Sequence, residues 1–291
     1  MNMVKRNSHF ITNSCCISTG IVDSNFRNAV LSHIIGNYSR ISQTPLFLAI
    51  HGSPGEGKTF QTLQVCHEHN VKVCYFSGAE LSGNYERDSI LELSEDYTRA
   101  CNYYNEGEYC AIIIDDFHLS PASIKDGVGT TVNSQLLTGF LMNLCDKAKS
   151  SQIDSIPIIL LGNTFKNVYE PLKRDGRMNF YFWAAPLELK KQIVDKLFRQ
   201  YLSFSDCIQL GKFVEAYQNM PISFFTEVKN DIDKSIITAL IEKLKYGDIG
   251  TYINNLDNKQ DLRIKLSQLY HLAEDRKNAA VMSSAGGEWE L

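Results

Sequence analysis

A glycine-rich turn that follows a short apolar run constrains this sequence more than any other feature. Residues 46–50 read LFLAI, and Gly52, Gly57, Lys58 and Thr59 follow in the spacing G-x-x-x-x-G-K-[ST]. In this spacing the backbone N–H groups surround a polyphosphate, the lysine reaches its β and γ phosphates, and the hydroxyl holds Mg²⁺. A helix that begins at the lysine adds the positive end of its dipole. The motif predicts a nucleoside triphosphate site; the alternative is a chance match in an ordinary strand-turn-helix unit.

We assign nucleotide binding to the whole loop and to the start of the helix that follows it. The assigned residues are Gly52, Ser53, Pro54, Gly55, Glu56, Gly57, Lys58, Thr59 and Phe60. Thr59 is also the first predicted metal ligand, because its hydroxyl is the group that this motif offers to Mg²⁺. The motif therefore predicts a nucleoside triphosphate and magnesium as ligands.

A second apolar run ends in two carboxylates. Residues 110–116 read CAIIIDD, which is typical of a buried strand with an acidic end. Next to a phosphate loop, Asp115 would hold Mg²⁺ through water, and Asp116 would orient and polarise the attacking water. Acidic pairs after strands are also common on protein surfaces, and Asp116 is one methylene shorter than the glutamate of many such enzymes. Together the two motifs predict magnesium-dependent hydrolysis of a nucleoside triphosphate.

Polar residues beside two later strands are further candidates for the site. Asn163 follows an apolar run and would help to position the attacking water, or would merely cap the next turn. Arg174 and Arg177 lie in a turn before the last strand, where they reach a neighbouring subunit more easily than their own nucleotide. They predict an arginine finger supplied in trans, with a solvated basic turn as the alternative.

Apolar strands alternate with helical patterns over the first two thirds of the chain. Five strands are expected, at 46–51, 71–76, 110–115, 156–161 and 180–184, and this alternation favours a parallel sheet with helices on both faces. From residue 186 onward only helical patterns occur. The predicted organisation is an N-terminal arm (1–24), an α/β nucleotide-binding domain (25–185), a small helical domain (186–276) and a flexible tail (277–291).

Composition excludes several classes of function. A net charge of −4 lacks the basic footprint of a nucleic-acid-binding protein, so no direct nucleic-acid ligand is expected. No apolar run approaches the roughly 18 residues of a membrane span, so no membrane is expected either. The eight cysteines form no C-x-x-C pair, which is typical of reduced thiols. We expect a cytoplasmic protein, or a protein of an organelle stroma if the host is photosynthetic.

Six segments occur in the order in which the Rubisco activases carry them. They are GSPGEGKTFQ, FSGAELSGN, CAIIIDDF, TTVNSQLLTGFLMN, IILLGNTFKNVYEPLKRDGRMNFYFWA and PISFFTEVKNDI. From about residue 26 to 232 the chain resembles this family of AAA+ ATPases. The resemblance implies an AAA+ α/β domain followed by a helical lid. It also implies a ring, most simply a hexamer, with ATP at the subunit interfaces.

Matching positions imply roles for particular residues. Lys58 and Thr59 match Walker A, Asp115 and Asp116 Walker B, Asn163 sensor 1, and Arg174 and Arg177 the arginine-finger region. Residues 81–85 and 125–131 match loops that grip a protein client in the central pore. Lys229 stands where the lid carries an arginine that senses the γ-phosphate, and a lysine cannot make its bidentate contact.

The chain departs from the family pattern at the end of the acidic strand. Residues 115–118 read DDFH, where the activases carry asparagine-aspartate-leucine-aspartate, so which carboxylate performs which task stays open. Two functions therefore stand. One is an ATP-driven ring that remodels a protein client through its pore. The other is an ATP-dependent ring-forming scaffold or switch that recruits or gates a partner, with slow hydrolysis. Stimulation of ATP hydrolysis by a client would separate them.

Overall fold

A computed structural model describes most of the chain and divides it into two units. The described residues are 9–11, 20–39, 43–82, 88–120, 122, 132–150, 154–244, 248–250, 252–253 and 263–285. By their internal contacts, Met1–Ala184 and Ala185–Leu291 form separate compact units. Each unit is described by itself.

The first unit is built on a six-stranded sheet. Its strands are β1 (Phe10–Ile11), β2 (Phe47–His51), β3 (Lys72–Ser77), β4 (Cys110–Asp115), β5 (Ile158–Gly162) and β6 (Met178–Phe182), in the order β1-β3-β4-β5-β2-β6. Strands β2 to β6 pair in parallel, and β1 lies antiparallel along β3. The predicted five-stranded parallel sheet is therefore present, and the N-terminal arm adds a sixth strand that the sequence analysis did not predict.

Helices cover both faces of this sheet. The helices are α1 (Ser24–Ser39), α2 (Lys58–Glu68), α3 (Asp88–Asn105), α4 (Val132–Lys149) and α5 (Glu170–Lys173). Leu93 of α3 and Leu141 of α4 pack in one core with Ile112 and Leu160. Because side chains alternate along a strand, Ile113 and Asp115 face the opposite side. The central strands are buried on both faces, which explains their continuous apolar sequence.

The described residues of the second unit form helices and the segments that connect them, and no strand. Its helices are α6 (Leu187–Phe198), α7 (Phe204–Cys207), α8 (Leu210–Ala216), α9 (Ile222–Leu244) and α10 (Leu266–Ala285). A core of buried aromatic and aliphatic side chains, including Phe198, Phe213, Phe225 and Leu269, holds these helices together. Among the described residues of the whole chain, no helix is long and apolar enough to cross a membrane.

The predicted flexible tail begins inside a helix. The prediction placed residues 277–291 in a tail, whereas α10 continues to Ala285. The sequence lacks an apolar period here, but Ala279 and Ala280 have high helix propensity. Lys277 also pairs with Glu274, three residues earlier on the same helix, at 3.3 Å. Aperiodic sequence was therefore a poor guide to where this helix ends.

Candidate functional site

The candidate site lies at the edge of the sheet where parallel strands end. Strand β5 lies between β2 and β4, so the residues that follow these three strands meet at one edge. In α/β sheets this carboxyl edge is where ligands bind. The phosphate loop follows β2, and Asn163 follows β5. Asp115 is the last residue of β4, and Asp116 comes directly after it.

The phosphate loop requires glycine at position 52, and a residue outside the loop holds it in place. Gly52 has a φ of 153°, and a Cβ atom there would lie 1.9 Å from the carbonyl oxygen of Trp183. The indole Nε1 of Trp183 donates a hydrogen bond to the carbonyl oxygen of Glu56 at 2.7 Å. Gly57, at φ 79°, is the N-cap of α2, and no side chain caps this helix. The loop therefore presents the uncapped amino end of α2 to an anion.

The ammonium group of Lys58 is enclosed by this loop. Its Nζ donates to the carbonyl oxygens of Gly52 and Ser53, both at 2.9 Å, and to Oδ1 of Asn163 at 3.2 Å. Burial lowers the pKa of Lys58, and the nearby carboxylates of Asp115, Asp116 and Glu56 oppose this effect. Lys58 thus joins the end of β5 to the phosphate loop.

Three donors hold the carboxylate of Asp115. Its Oδ2 accepts hydrogen bonds from Thr59 Oγ1 at 2.7 Å and from the Tyr75 hydroxyl at 2.8 Å. Its Oδ1 accepts from the backbone N–H of Asp116 at 2.8 Å. Burial, followed by the hydrogen bond to Asp115, raises the pKa of Tyr75, so this hydroxyl stays a donor. The sequence analysis did not identify Tyr75, because any β-forming residue satisfies the strand pattern at that position.

Asp116 adopts an unusual backbone conformation beside the held carboxylate. Its φ is 49°, the left-handed region that non-glycine residues rarely adopt. Its side chain is 58% exposed, and within the described residues its carboxylate accepts no hydrogen bond. The nearest basic group is His118, whose Nδ1 lies 4.0 Å from Asp116 Oδ1. The two neighbouring carboxylates therefore differ: Asp115 is fixed and Asp116 is open to solvent.

Asn163 turns its amide toward the site. Besides accepting from Lys58, it lies with its Nδ2 3.5 Å from Nε2 of His118. Thr164 performs the turn-capping task instead, because its hydroxyl accepts from the N–H of Lys166 at 3.2 Å. His118 is therefore a further residue of the site.

The two arginines before β6 differ in their surroundings. Arg177 donates to the carbonyl oxygen of Pro171 at 2.9 Å and to both carboxylate oxygens of Asp146 at 3.1 and 3.2 Å. Arg174 is exposed and makes no side-chain hydrogen bond or ion pair within the part of the chain that the structure describes. Neither contacts Lys58, Thr59 or Asp115.

Three further predictions concern Phe60, Lys229 and the pore loops. Phe60 turns its ring toward Gly20, where an added Cβ would lie 2.2 Å from its Cζ. In the second unit, Lys229 donates to Oδ2 of Asp233 at 2.6 Å, and this bond raises the pKa of Lys229. Of the two predicted pore loops, only residues 81–82 are described, and both belong to the 3-10 turn Glu80–Ser82. Residues 83–85 and 125–131 lie outside the described residues.

The donor set fits Mg²⁺ bound together with a nucleotide. No cluster of three or more His, Cys, Asp or Glu side chains that could hold a metal occurs among the described residues. Mg²⁺ keeps several waters and is usually bound by one or two protein oxygens plus substrate phosphates. The hydroxyl of Thr59 and the carboxylate of Asp115 supply such a pair. The site therefore suits magnesium that arrives with a polyphosphate.

Comparison with known sequences identifies the domain that carries this site. Residues 48–185 match the family described as "ATPase family associated with various cellular activities (AAA)". The chain contains an AAA ATPase domain. The match begins in strand β2 and ends just beyond Trp183, and so includes every residue of the clustered site. The AAA+ fold class predicted from the sequence is confirmed.

Curated proteins that are similar to this chain include Rubisco activases. The activase of Anabaena sp. (strain CA / ATCC 33047) is 30% identical over 263 residues, which cover 86% of this chain and 63% of the relative. The chloroplastic activase of Cucumis sativus is 28% identical over 212 residues, which cover 69% of this chain and 51% of the relative. The resemblance to Rubisco activases is confirmed, and the chain spans between about half and two thirds of these relatives.

Proposed function

We propose that this chain is a magnesium-dependent ATP-hydrolysing motor that assembles into a ring and remodels a protein client through its central pore. The observation that carries the proposal is the pair of contacts Thr59–Asp115 and Lys58–Asn163. These contacts bring the phosphate loop, the acidic strand end and the polar strand end onto one site. We take residues 25–185 as the motor domain and 186–276 as its lid.

Each residue of the site has a task in this proposal. The loop N–H groups and Lys58 bind the phosphates, and Thr59 with Asp115 holds the metal, directly and through water. A magnesium ion held by these two residues would neutralise charge on the phosphate oxygens. Asp116 orients and polarises the attacking water, because its carboxylate is open while that of Asp115 is already held by three donors. Asn163 positions the same water.

The arginine finger is assigned to Arg174 of a neighbouring subunit. An arginine supplied in trans stabilises charge on the transferring phosphoryl group and makes hydrolysis depend on assembly. Arg174 is exposed and unbonded among the described residues, so it is available to a neighbour. Arg177 already donates hydrogen bonds to Pro171 and Asp146, and it instead stabilises the turn that carries Arg174. This assembly places ATP at the interfaces of a closed ring, most simply a hexamer.

The names of the curated relatives suggest which protein client to test. Those relatives are named as activases of ribulose bisphosphate carboxylase/oxygenase, so Rubisco is the first client to test. The corresponding location is the cytoplasm, or a chloroplast stroma as in the chloroplastic relatives. Lys229 serves as a γ-phosphate sensor in this account only if it leaves Asp233 when nucleotide binds.

Steady-state hydrolysis of ATP tests the proposal. The Asp116→Asn variant should bind a fluorescent ATP analogue like the wild type but should not turn ATP over. The exposed Asp275→Asn variant in α10 is the matched control and should hydrolyse ATP normally. Specific activity should rise with protein concentration as subunits assemble, and Rubisco should stimulate it further. Full turnover by Asp116→Asn would refute its catalytic assignment, and activity independent of assembly would refute the ring.

A further inference from the structure

Tyr75 reaches from one strand to the carboxylate at the end of the next. Its hydroxyl donates at 2.8 Å to Oδ2 of Asp115, the same oxygen that accepts from Thr59 at 2.7 Å. The other oxygen, Oδ1, accepts the N–H of Asp116. The carboxylate is thus held from α2, from β3 and from its own strand end, which leaves it little rotational freedom.

The sheet register determines that Tyr75 points to this carboxylate. In the parallel pairing of β3 with β4, Tyr75 lies opposite Ile113 and Ser77 lies opposite Asp115. Since Ile113 and Asp115 share a face, Tyr75 is the diagonal neighbour of Asp115 on that face. Aromatic side chains are long enough to reach a diagonal neighbour on the same face of a sheet, and the hydroxyl of Tyr75 does so at 2.8 Å. A tyrosine at this position therefore ends at the carboxylate, whereas a shorter side chain would not.

The backbone of Tyr75 is fixed on both sides of its strand. On one side β3 pairs with β4, and on the other the N–H of Tyr75 donates to the carbonyl oxygen of His9 at 2.9 Å. The N-terminal strand β1 follows directly and pairs with Cys74 and Val73. A side chain on a strand bonded at both edges starts from a rigid base, which favours precise positioning of the group it contacts.

We propose that Tyr75 is a positioning residue for the magnesium-binding carboxylate of Asp115. It fixes the Asp115 side chain in the rotamer that faces the Thr59 hydroxyl, so that both metal-binding groups are in place before Mg²⁺ and nucleotide arrive. A neutral hydroxyl suits this task, because it orients the carboxylate without cancelling its negative charge. The proposal rests on the proposed role of Asp115 in holding the metal. Partners that orient metal ligands typically change metal affinity about 10–100-fold.

The experiment measures nucleotide binding as a function of Mg²⁺ in the full chain. A fluorescent ATP analogue is titrated with Mg²⁺ in the wild type and in Tyr75→Phe, which removes one oxygen and keeps the ring. The variant should need about tenfold more Mg²⁺ for half-saturation. Its affinity for the analogue in EDTA, and its melting temperature, should equal those of the wild type. Tyr181→Phe on β6 is the matched control, because it removes a hydroxyl from the same sheet away from Asp115, and it should titrate like the wild type.

A double-mutant cycle with Asp115→Asn completes the test. If Tyr75 acts through this carboxylate, Tyr75→Phe should change the Mg²⁺ dependence little in the Asp115→Asn background. An unchanged Mg²⁺ dependence of Tyr75→Phe overturns the proposal, as does an equal effect in both backgrounds. A fall in melting temperature together with weaker binding in EDTA also overturns it, by showing a purely structural role. Failure of the proposed function itself would appear separately, as wild-type binding that does not respond to Mg²⁺.

Discussion

Arg174 and Arg177 are three residues apart, but the structure predicts opposite consequences of removing them. Arg177→Ala deletes a hydrogen bond to the Pro171 carbonyl and a two-point contact with Asp146, whose side chain is 60% exposed. The hydrogen bond contributes about 0.5–1.5 kcal/mol, and a partly exposed ion pair about 0.2–1 kcal/mol. The variant should therefore lose about 1–2 kcal/mol of unfolding free energy.

Arg174→Ala should leave the fold intact and abolish the chemistry. An exposed side chain without partners changes stability by less than about 0.5 kcal/mol when it is removed. An arginine finger contributes about 10³–10⁵ in turnover, so the hydrolysis rate should fall by at least three orders of magnitude. Arg174→Lys should not restore it, because an ammonium group cannot reproduce the planar, two-point guanidinium contact.

Urea unfolding and steady-state hydrolysis, measured on the same preparations, separate the two variants. Arg177→Ala should unfold at lower urea, and a melting temperature about 2–8 °C lower is expected for a unit of this size. Arg174→Ala should unfold like the wild type while binding ATP with unchanged affinity. The reasoning fails if Arg174→Ala hydrolyses ATP at the wild-type rate, or if Arg177→Ala keeps full stability and loses only turnover.

Three further outcomes follow from single positions. Lys58→Ala should lose binding of a fluorescent ATP analogue while its circular dichroism spectrum stays unchanged; retained binding would contradict the phosphate-loop assignment. Gly52→Ala should weaken the same binding, because its Cβ would meet the Trp183 carbonyl oxygen at 1.9 Å, and wild-type affinity would contradict that geometry. Burial lowers the pKa of His33 to about 4. Between about pH 6.5 and pH 4, this histidine is protonated in the unfolded chain but stays neutral in the folded chain. The unfolding free energy therefore falls by up to about 3 kcal/mol as pH falls through this window. His33→Leu should flatten that pH dependence in urea titrations, and an unchanged slope would contradict it.

The sequence was sufficient for the parts of the fold that depend on continuous patterns. The buried parallel strands, the glycine turn and the acidic strand end each carry a local signal, so their meeting at one sheet edge could be predicted. Strand β1 could not, because Phe10–Ile11 is too short for any period and forms through pairing with β3. The extent of α10 was missed for a related reason, since the part of that helix after residue 276 lacks a regular apolar face.

The details of the site depend on contacts that no local pattern encodes. Tyr75 looks like any strand residue until the register places it diagonally across from Asp115. The two arginines of one turn are equivalent in sequence, and the contacts of Arg177 with Pro171 and with Asp146, 31 residues earlier, distinguish them. The choice between Asp115 and Asp116 likewise depends on which one faces Thr59. Long-range geometry, rather than residue type, distinguishes these roles.

A subunit-mixing experiment tests most directly whether a catalytic site is shared between neighbours. On the proposed roles, Lys58→Ala subunits should keep the arginine finger but fail to bind ATP, whereas Arg174→Ala subunits should bind ATP but lack the finger. Each should be inactive alone. Random mixing at equal concentrations should restore about a quarter of wild-type hydrolysis, because one interface in four then pairs an intact nucleotide site with an intact finger. Mixtures that stay as inactive as their components would contradict a finger supplied in trans.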